Sequence, residues 1–209
     1  MKPIETIMRT APVIPVLVIE DVAHAVPVAQ ALVAGGLRVL EVTLRTPVAL
    51  DVIRAMRSVE GAIVGAGTVT DPATLKASID AGAEFIVSPG LTDRLGAAAV
   101  SSGIPYLPGV ANAGDIMRGL DLGLTHFKFF PAVTSGGLPA LKALAGPFHQ
   151  CKFCPTGGIT LENAPEWLGF GPVLCVGGSW VVDKVAPGGV PNSAAIEAAA
   201  RAAAALTSR

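Results

Sequence analysis

The feature that most constrains the fold is a repeated alternation of short apolar, often β-branched runs with longer stretches rich in alanine and leucine. Eight such runs begin 20 to 27 residues apart, which leaves room for one crossover helix after each strand. The pattern predicts an α/β protein folded as a single (β/α)8 TIM barrel. A doubly wound open sheet is the alternative, although it seldom needs eight equal units. The predicted strands are Val13–Ile19, Val39–Leu44, Ile63–Val69, Phe85–Pro89, Tyr106–Val110, His126–Pro131, Phe153–Gly157 and Val173–Gly178.

The stretches between these runs carry helix signals. Asp71 followed by Pro72 is typical of an N-cap and first helical turn, and several stretches end at glycine. A short helix around Pro3–Arg9 is expected to cap the bottom of the barrel. Since no linker or change in composition interrupts the chain, residues 1–209 are predicted to form one domain. The predicted helices are Val22–Ala34, Pro47–Ser58, Pro72–Ala81, Thr92–Ser101, Ala113–Asp121, Leu138–Ala145, Glu162–Leu168 and Ser193–Thr207.

Composition excludes several classes of protein. With 51% apolar and only 15% charged residues, the chain is not disordered. The balance of 15 basic against 16 acidic residues argues against nucleic acid or an anionic membrane as a partner. The longest uncharged stretch, Leu95–Gly114, is interrupted by glycine, proline and serine, so it does not predict a membrane span. The apolar run Pro12–Ile19 contains a proline and precedes two acidic residues, which argues against a signal peptide.

Three cysteines are too few for a disulfide scaffold. Cys151 and Cys154 form a CxxC motif, but three residues apart on a strand they point to opposite faces. No second pair follows, which argues against zinc and favours a reducing, cytoplasmic setting. No cluster of His, Asp and Glu has the spacing of a metal site, so no metal or other cofactor is expected.

The second predicted strand has one polar face. Glu41, Thr43 and Arg45 alternate with apolar residues that suit the helix layer, so the polar face should point into the barrel. Burying a carboxylate and a guanidinium there is costly unless the charges are paired or take part in binding or catalysis. Two interpretations stay open: a structural ion pair between Glu41 and Arg45, or a proton-transfer carboxylate below an arginine that binds an anion.

The sixth predicted strand places Lys128 between aromatic neighbours. Desolvation can lower a lysine pKa by about 3–5 units, which would make the amine a nucleophile for Schiff-base chemistry. The alternative is a lysine that extends to the barrel rim. Lys152 opens its strand and should lie at the bottom, away from any chemistry. His126 shares the parity of Lys128 but lies nearer the strand start, so we interpret it as a core residue.

Two glycine pairs follow the last two predicted strands, in Thr156-Gly157-Gly158 and Gly177-Gly178-Ser179. Bare backbone N–H groups near a helix N-terminus bind phosphate oxygens, and barrels often place a phosphate site after these two strands. Tight turns are the alternative interpretation. Thr68, which ends the third predicted strand, and Ser88-Pro89-Gly90, which ends the fourth, belong to the same rim.

Seven motifs together resemble one enzyme family. They are LEVTLRT (40–46), VGAGTV (64–69), SPG (88–90), FKFFPA (127–132), AGPF (145–148), FCPTGGI (153–159) and CVGGSW (175–180). The chain resembles the 2-dehydro-3-deoxy-6-phosphogluconate (KDPG) aldolases of the Entner–Doudoroff pathway from about Val13 to Trp180. The resemblance implies a class I aldolase on a (β/α)8 barrel, a homotrimer without metal, and in some members cleavage of 4-hydroxy-2-oxoglutarate (KHG).

The resemblance also implies roles for individual residues. Lys128 would form the Schiff base, Glu41 would transfer protons, and Arg45 would bind the carboxylate of pyruvate. The remaining matches contact the substrate: Thr68, Pro89 and Phe130 around the pyruvyl group, Thr156 at the sugar hydroxyls, and Gly157, Gly158, Gly178 and Ser179 at the phosphate.

The expected reaction is cleavage of KDPG to pyruvate and D-glyceraldehyde 3-phosphate in the cytoplasm. The partner is then a small phosphorylated keto acid, with no nucleic acid and no membrane. The alternatives are the galactonate analogue as substrate, a metal-dependent pyruvate aldolase, a phosphate-binding isomerase or epimerase, and a non-catalytic sugar-phosphate-binding barrel.

Overall fold

The computed structural model describes residues 3–182 and 190–206, and the strands of this part lie in two parallel sheets. The larger sheet has the strand order β5-β4-β3-β2-β1-β9, and the smaller has the order β6-β7-β8. The α/β class with parallel strands is therefore confirmed. The strands are Val13–Leu17 (β1), Val39–Thr43 (β2), Ile63–Gly67 (β3), Ile86–Val87 (β4), Tyr106–Leu107 (β5), Gly109–Val110 (β6), His126–Phe129 (β7), Lys152–Pro155 (β8) and Val176–Gly178 (β9).

Helices connect the strands, as the alternating pattern predicted. A 3-10 turn, Val22–His24, precedes the second helix. None of the helices in the described ranges is long and apolar enough to cross a membrane. The α-helices are Ile4–Met8 (α1), Ala25–Ala34 (α2), Ala49–Met56 (α3), Pro72–Asp80 (α4), Asp93–Ser102 (α5), Ala113–Asp121 (α6), Gly137–Ala145 (α7), Ala164–Leu168 (α8) and Ser193–Ala204 (α9).

Helix α4 shows why the local sequence fixes a helix start. Asp71 accepts hydrogen bonds from the backbone N–H groups of Ala73 and Thr74, and the Thr74 hydroxyl accepts one from the N–H of Asp71 in return. Pro72 follows the cap, where its missing N–H costs nothing. The predicted N-cap is confirmed.

Six of the predicted strands end one or two residues beyond the strands of the structure, and the other two differ further. The run Tyr106–Val110 divides into β5 and β6 at Pro108, because proline has no N–H to donate to a ladder. The carbonyl of Pro108 still accepts a 2.8 Å hydrogen bond from the N–H of Lys128. The run Val173–Gly178 forms a ladder only from Val176, and Val173 makes an isolated bridge to Phe153. The predicted end of the last helix, Thr207, lies outside the described residues.

Two apolar clusters follow from the alternation of side chains along the strands. The outer cluster lies between strands and helices and includes Leu40, Val42 and Phe127. The inner cluster lies on the concave side of the sheets, where Ile7 and Met8 of α1 pack against the first residues of several strands, among them Val39, Ile63 and Ile14. Burying one such side chain contributes about 1.5–3 kcal/mol. Helix α1 therefore covers the N-terminal end of the strands, as predicted.

Candidate active site

Lys128 and Glu41 meet on the concave side, although they come from different sheets. The Nζ atom of Lys128 on β7 donates a 3.0 Å hydrogen bond to Oε1 of Glu41 on β2. The two residues are only 5% and 3% exposed. The predicted inward direction of both is confirmed, and the interpretation of Lys128 as a rim lysine is wrong.

The partner of Glu41 corrects one of the two interpretations of β2. Glu41 pairs with Lys128, whereas Arg45 lies two residues beyond the end of the strand and is exposed. A structural ion pair between Glu41 and Arg45 is therefore wrong. The ring of Phe130 lies beside the amine, with its centroid 5.3 Å from the Lys128 Nζ atom.

Two threonines fix the segment that carries Arg45. The Thr43 hydroxyl donates to the carbonyl of Leu17, and the Thr46 hydroxyl donates to that of Ile19, each at 2.8 Å. These bonds tie the end of β2 to the end of β1 on both sides of Arg45. Thr46 was not predicted as a contributor; the two threonines on either side of the arginine, two residues before it and one after it, were the signal for it.

Thr68 follows β3 in a left-handed backbone conformation, with φ of 60°. A β-branched residue is rare there because its Cβ crowds the following carbonyl, at a cost of about 1–2 kcal/mol. Such conformations concentrate at functional sites, where the surrounding structure holds them. This observation supports the predicted position of Thr68 at the rim of a site.

Pro89 is an exposed residue between β4 and α5, and buried polar groups anchor its loop. The Ser88 hydroxyl donates to the carbonyl of Gly90 and also hydrogen bonds with the Tyr106 hydroxyl, both at 2.7 Å. Burial raises the pKa of Tyr106 to about 12, and the hydrogen bond with Ser88 opposes that rise. The pair was not predicted, because the sequence does not show that Ser88 and Tyr106 face each other across neighbouring strands.

The two glycine pairs lie side by side. Thr156 is buried and forms an isolated parallel bridge with Gly177, next to Gly178 at the end of β9. Gly157 and Gly158 have φ values of 100° and 76°, which favour glycine. Ser179 is exposed just beyond β9. The structure therefore brings both predicted phosphate segments to the C-terminal ends of neighbouring strands.

Other titratable residues lie away from this site. His126 starts β7, and its Nε2 atom is 3.4 Å from Glu5 Oε2 of α1 without hydrogen-bond geometry. Burial lowers the pKa of His126. Lys152 starts β8, at the same end, as predicted. In the described part of the chain, no three His, Cys, Asp or Glu side chains group closely enough to hold a metal ion.

The cysteines also occupy the predicted faces. Cys151 belongs to the outer cluster and Cys154 to the inner one, so the two thiols of the CxxC motif point in opposite directions. Cys175 lies in the inner cluster as well, and a hydrogen bond with Cys154 together with burial raises its pKa well above the usual value.

Comparisons with known proteins point to one family. Residues 4–197 match the family model described as KDPG and KHG aldolase. The chain is 60% identical over 206 residues to the 2-dehydro-3-deoxy-phosphogluconate aldolase of Zymomonas mobilis, covering 99% of this chain and 97% of that protein.

Solved structures agree as well. A Zymomonas mobilis KDPG aldolase structure with 3-phosphoglycerate superposes with a TM-score of 0.94 at 59% identity, covering 98% of this chain and 96% of that one. A Legionella pneumophila KDPG aldolase with pyruvate captured as a covalent carbinolamine gives a TM-score of 0.93 at 44% identity, covering 98% and 99%. The chain belongs to the KDPG and KHG aldolase family.

Proposed function

We propose that this chain is a class I aldolase that cleaves KDPG to pyruvate and D-glyceraldehyde 3-phosphate through a Schiff base on Lys128. The observation that carries the proposal is the buried contact of 3.0 Å between Lys128 Nζ and Glu41 Oε1. An amine and a carboxylate at this distance can exchange a proton directly. The identity of 60% with a named KDPG aldolase supports the reaction, and the carbinolamine captured in the Legionella pneumophila relative supports the covalent intermediate.

The proposed fold behind this chemistry is a closed (β/α)8 barrel within one domain, residues 1–209. Strand β6 continues β5 after Pro108, so the nine strands of the described residues count as eight. Two isolated parallel bridges, Phe153 with Val173 and Thr156 with Gly177, connect β8 to the segment of β9. These contacts support closure between the smaller and the larger sheet on that side.

The proposed reaction begins when Lys128 passes a proton to Glu41 and the neutral amine attacks the C2 carbonyl of the substrate. A new C–N bond forms, the carbonyl π bond breaks, and a proton passes from the nitrogen to the carbonyl oxygen, which becomes the hydroxyl of a carbinolamine. Glu41 protonates that hydroxyl, which leaves as water, and an iminium remains. General acid–base help of this kind contributes about 10²–10⁴-fold to the rate.

Cleavage then uses the iminium as an electron sink. Glu41, directly or through one water, removes the proton from the C4 hydroxyl, and the C3–C4 bond electrons flow to the nitrogen. Glyceraldehyde 3-phosphate leaves, and an enamine remains on Lys128. Protonation at C3 regenerates the iminium, and hydrolysis of its C–N bond releases pyruvate and restores the amine.

The remaining predicted residues are proposed to hold the substrate. Arg45 binds the carboxylate by two parallel hydrogen bonds, with Thr68, Pro89 and Phe130 around the pyruvyl group. Thr156 contacts a sugar hydroxyl. The phosphate binds to backbone N–H groups of the glycine segments. Binding energy at the phosphate, far from the reacting carbons, then orients the C3–C4 bond. The phosphate contacts are Gly157, Gly158, Gly178 and Ser179.

Cleavage of KHG is a second candidate activity. The family model covers both activities, and the two substrates share the keto acid half that Lys128, Glu41 and Arg45 would contact. The expected homotrimer and the cytoplasmic location remain predictions.

The test measures pyruvate release from KDPG, its galactonate analogue and KHG. In parallel, the protein is treated with borohydride and pyruvate, and the reduced adduct is located by mass spectrometry. We expect turnover of KDPG, resistance to EDTA and an adduct on Lys128. Lys128→Ala should abolish both signals, and the matched variant Lys152→Ala should retain both. An adduct on Lys152, or binding of sugar phosphate without turnover, would contradict the proposal.

A further inference from the structure

Strand β3 has two glycines on its concave face, Gly65 and Gly67, and each leaves room for a different side chain. At Gly65 the space is filled by the ring of Phe85. At Gly67 it is filled by Glu41: an added Cβ would lie 2.7 Å from Cγ and 2.8 Å from Cδ of Glu41, and nearer still to Oε1. The proton-transfer carboxylate therefore lies directly against the bare backbone of β3.

We propose that Gly67 is a positioning residue for the acid–base chemistry: the absence of a side chain there allows Glu41 to reach the amine of Lys128. This inference rests on the proposed function of those two residues. Gly67 itself contacts neither of the reacting carbons, so it acts only through Glu41.

The surroundings leave Glu41 little room to move away from an added methyl group. Its side chain is 4% exposed, and its neighbour across the ladder is Gly65, whose free space Phe85 already occupies. Beyond it along β2, Thr43 is buried and bonded to the carbonyl of Leu17. Real Cβ atoms essentially never lie within 3.0 Å of another heavy atom, so the Glu41 side chain must shift, and we expect that shift to break its contact with Lys128.

The expected effect follows from the size of that shift. A displacement of about 1 Å of a catalytic group can cost about 10²-fold in rate. Groups that bind the substrate's carboxylate and phosphate lie on other segments, so KM should change much less than kcat. We therefore expect Gly67→Ala to lower kcat for KDPG by about 10²-fold, with KM within about threefold of the wild-type value.

A double-mutant cycle separates positioning from simple packing. In a Glu41→Ala background, the atoms that an alanine at position 67 would meet are gone. Adding Gly67→Ala to that background should then change the single-turnover rate constant by less than about twofold. The effects of two substitutions are not additive when one residue acts through the other. A loss of the same factor in both backgrounds would overturn the proposal, as would a Gly67→Ala enzyme with kcat within threefold of the wild type.

Gly65→Ala is the matched control. It adds the same methyl group to the same face of the same strand, but it meets Phe85 instead of Glu41. It should lower the midpoint of thermal unfolding while leaving kcat of the folded protein within a few-fold of the wild-type value. If it lowers kcat as much as Gly67→Ala does, the effect belongs to the strand and the proposal is wrong.

Folding and function remain distinguishable in this design. If Gly67→Ala alone does not fold, the clash predicts that Gly67→Ala combined with Glu41→Ala does fold, and a double variant that also fails to fold refutes the inference. If the wild-type protein forms no borohydride-trapped adduct on Lys128, the proposed function fails. If it forms the adduct while Gly67→Ala keeps full kcat, only the role of Gly67 fails.

Discussion

Removing one partner of the buried Lys128–Glu41 pair should destabilise the fold much more than removing both. The two side chains are 7% and 4% exposed, and their nearest charged atoms are 3.0 Å apart. Lys128→Met keeps an apolar side chain of similar length but leaves the Glu41 carboxylate unpaired in the interior. An uncompensated buried charge of this kind costs about 3–5 kcal/mol.

The double variant, Lys128→Met with Glu41→Leu, removes that charge as well. Replacing a buried ion pair by apolar residues of similar volume is often neutral, or stabilising by about 1–4 kcal/mol. For a chain of this size, each kcal/mol shifts the thermal midpoint by about 2–4 °C. We therefore expect the single variant to unfold about 6–20 °C below the wild type, and the double variant to unfold close to it or above it, while neither has activity.

Thermal unfolding followed by circular dichroism, with urea titration for the free energies, measures the difference. The exposed pair of Lys76 and Asp80, whose side chains are 77% and 56% exposed, is the control. Lys76→Met should cost less than about 1 kcal/mol. If Lys128→Met is as stable as the double variant, the carboxylate does not depend on its partner and the reasoning is refuted.

Two further predictions concern the rim and its anchor. Thr68→Gly should raise the free energy of unfolding by up to about 1 kcal/mol, because relief of the left-handed conformation exceeds the entropy cost of glycine. The same variant should release pyruvate more slowly. A loss of stability above about 1 kcal/mol in urea titration would contradict the strain argument. Tyr106, the only tyrosine in the chain, should ionise near pH 12 in an absorbance titration. Because that pKa is raised above the unfolded value of about 10, its contribution to stability is complete below pH 10 and is lost as the pH rises from 10 to 12. Tyr106→Phe should lack that loss, and an absorbance midpoint near pH 10 in folded protein would contradict the burial of the phenol.

Much of the architecture could be predicted from the sequence because burial along a strand has a period of two. That period placed Glu41 and Lys128 on the concave side, since their alternate neighbours are apolar and pack against helices. The cap of α4 and the position of α1 also follow from local signals. These features depend on residues a few positions apart, where the chain geometry leaves few choices.

What could not be predicted depends on contacts between distant strands. Glu41 and Lys128 are 87 positions apart and lie in different sheets, so only the folded structure shows that they touch each other and that Arg45 is exposed instead of paired with Glu41. The space at Gly67 is equally invisible in the sequence, because a glycine in a strand looks like a weak strand former until its neighbour is known. The break at Pro108 had a local signal, the missing N–H, which the apolar run obscured.

Helix α1 has a kinetic consequence. Because Ile7 and Met8 cover the N-terminal ends of the strands, a substrate that reacts with Lys128 as proposed would enter at the opposite ends, past the exposed residues Arg45 and Ser179. In the proposed reaction, the keto acid bonded to Lys128 would lie deeper than the aldehyde fragment, whose phosphate is proposed to bind at the glycine segments. We therefore expect ordered release, with the aldehyde first and pyruvate second, and in the synthetic direction we expect pyruvate to bind before the aldehyde.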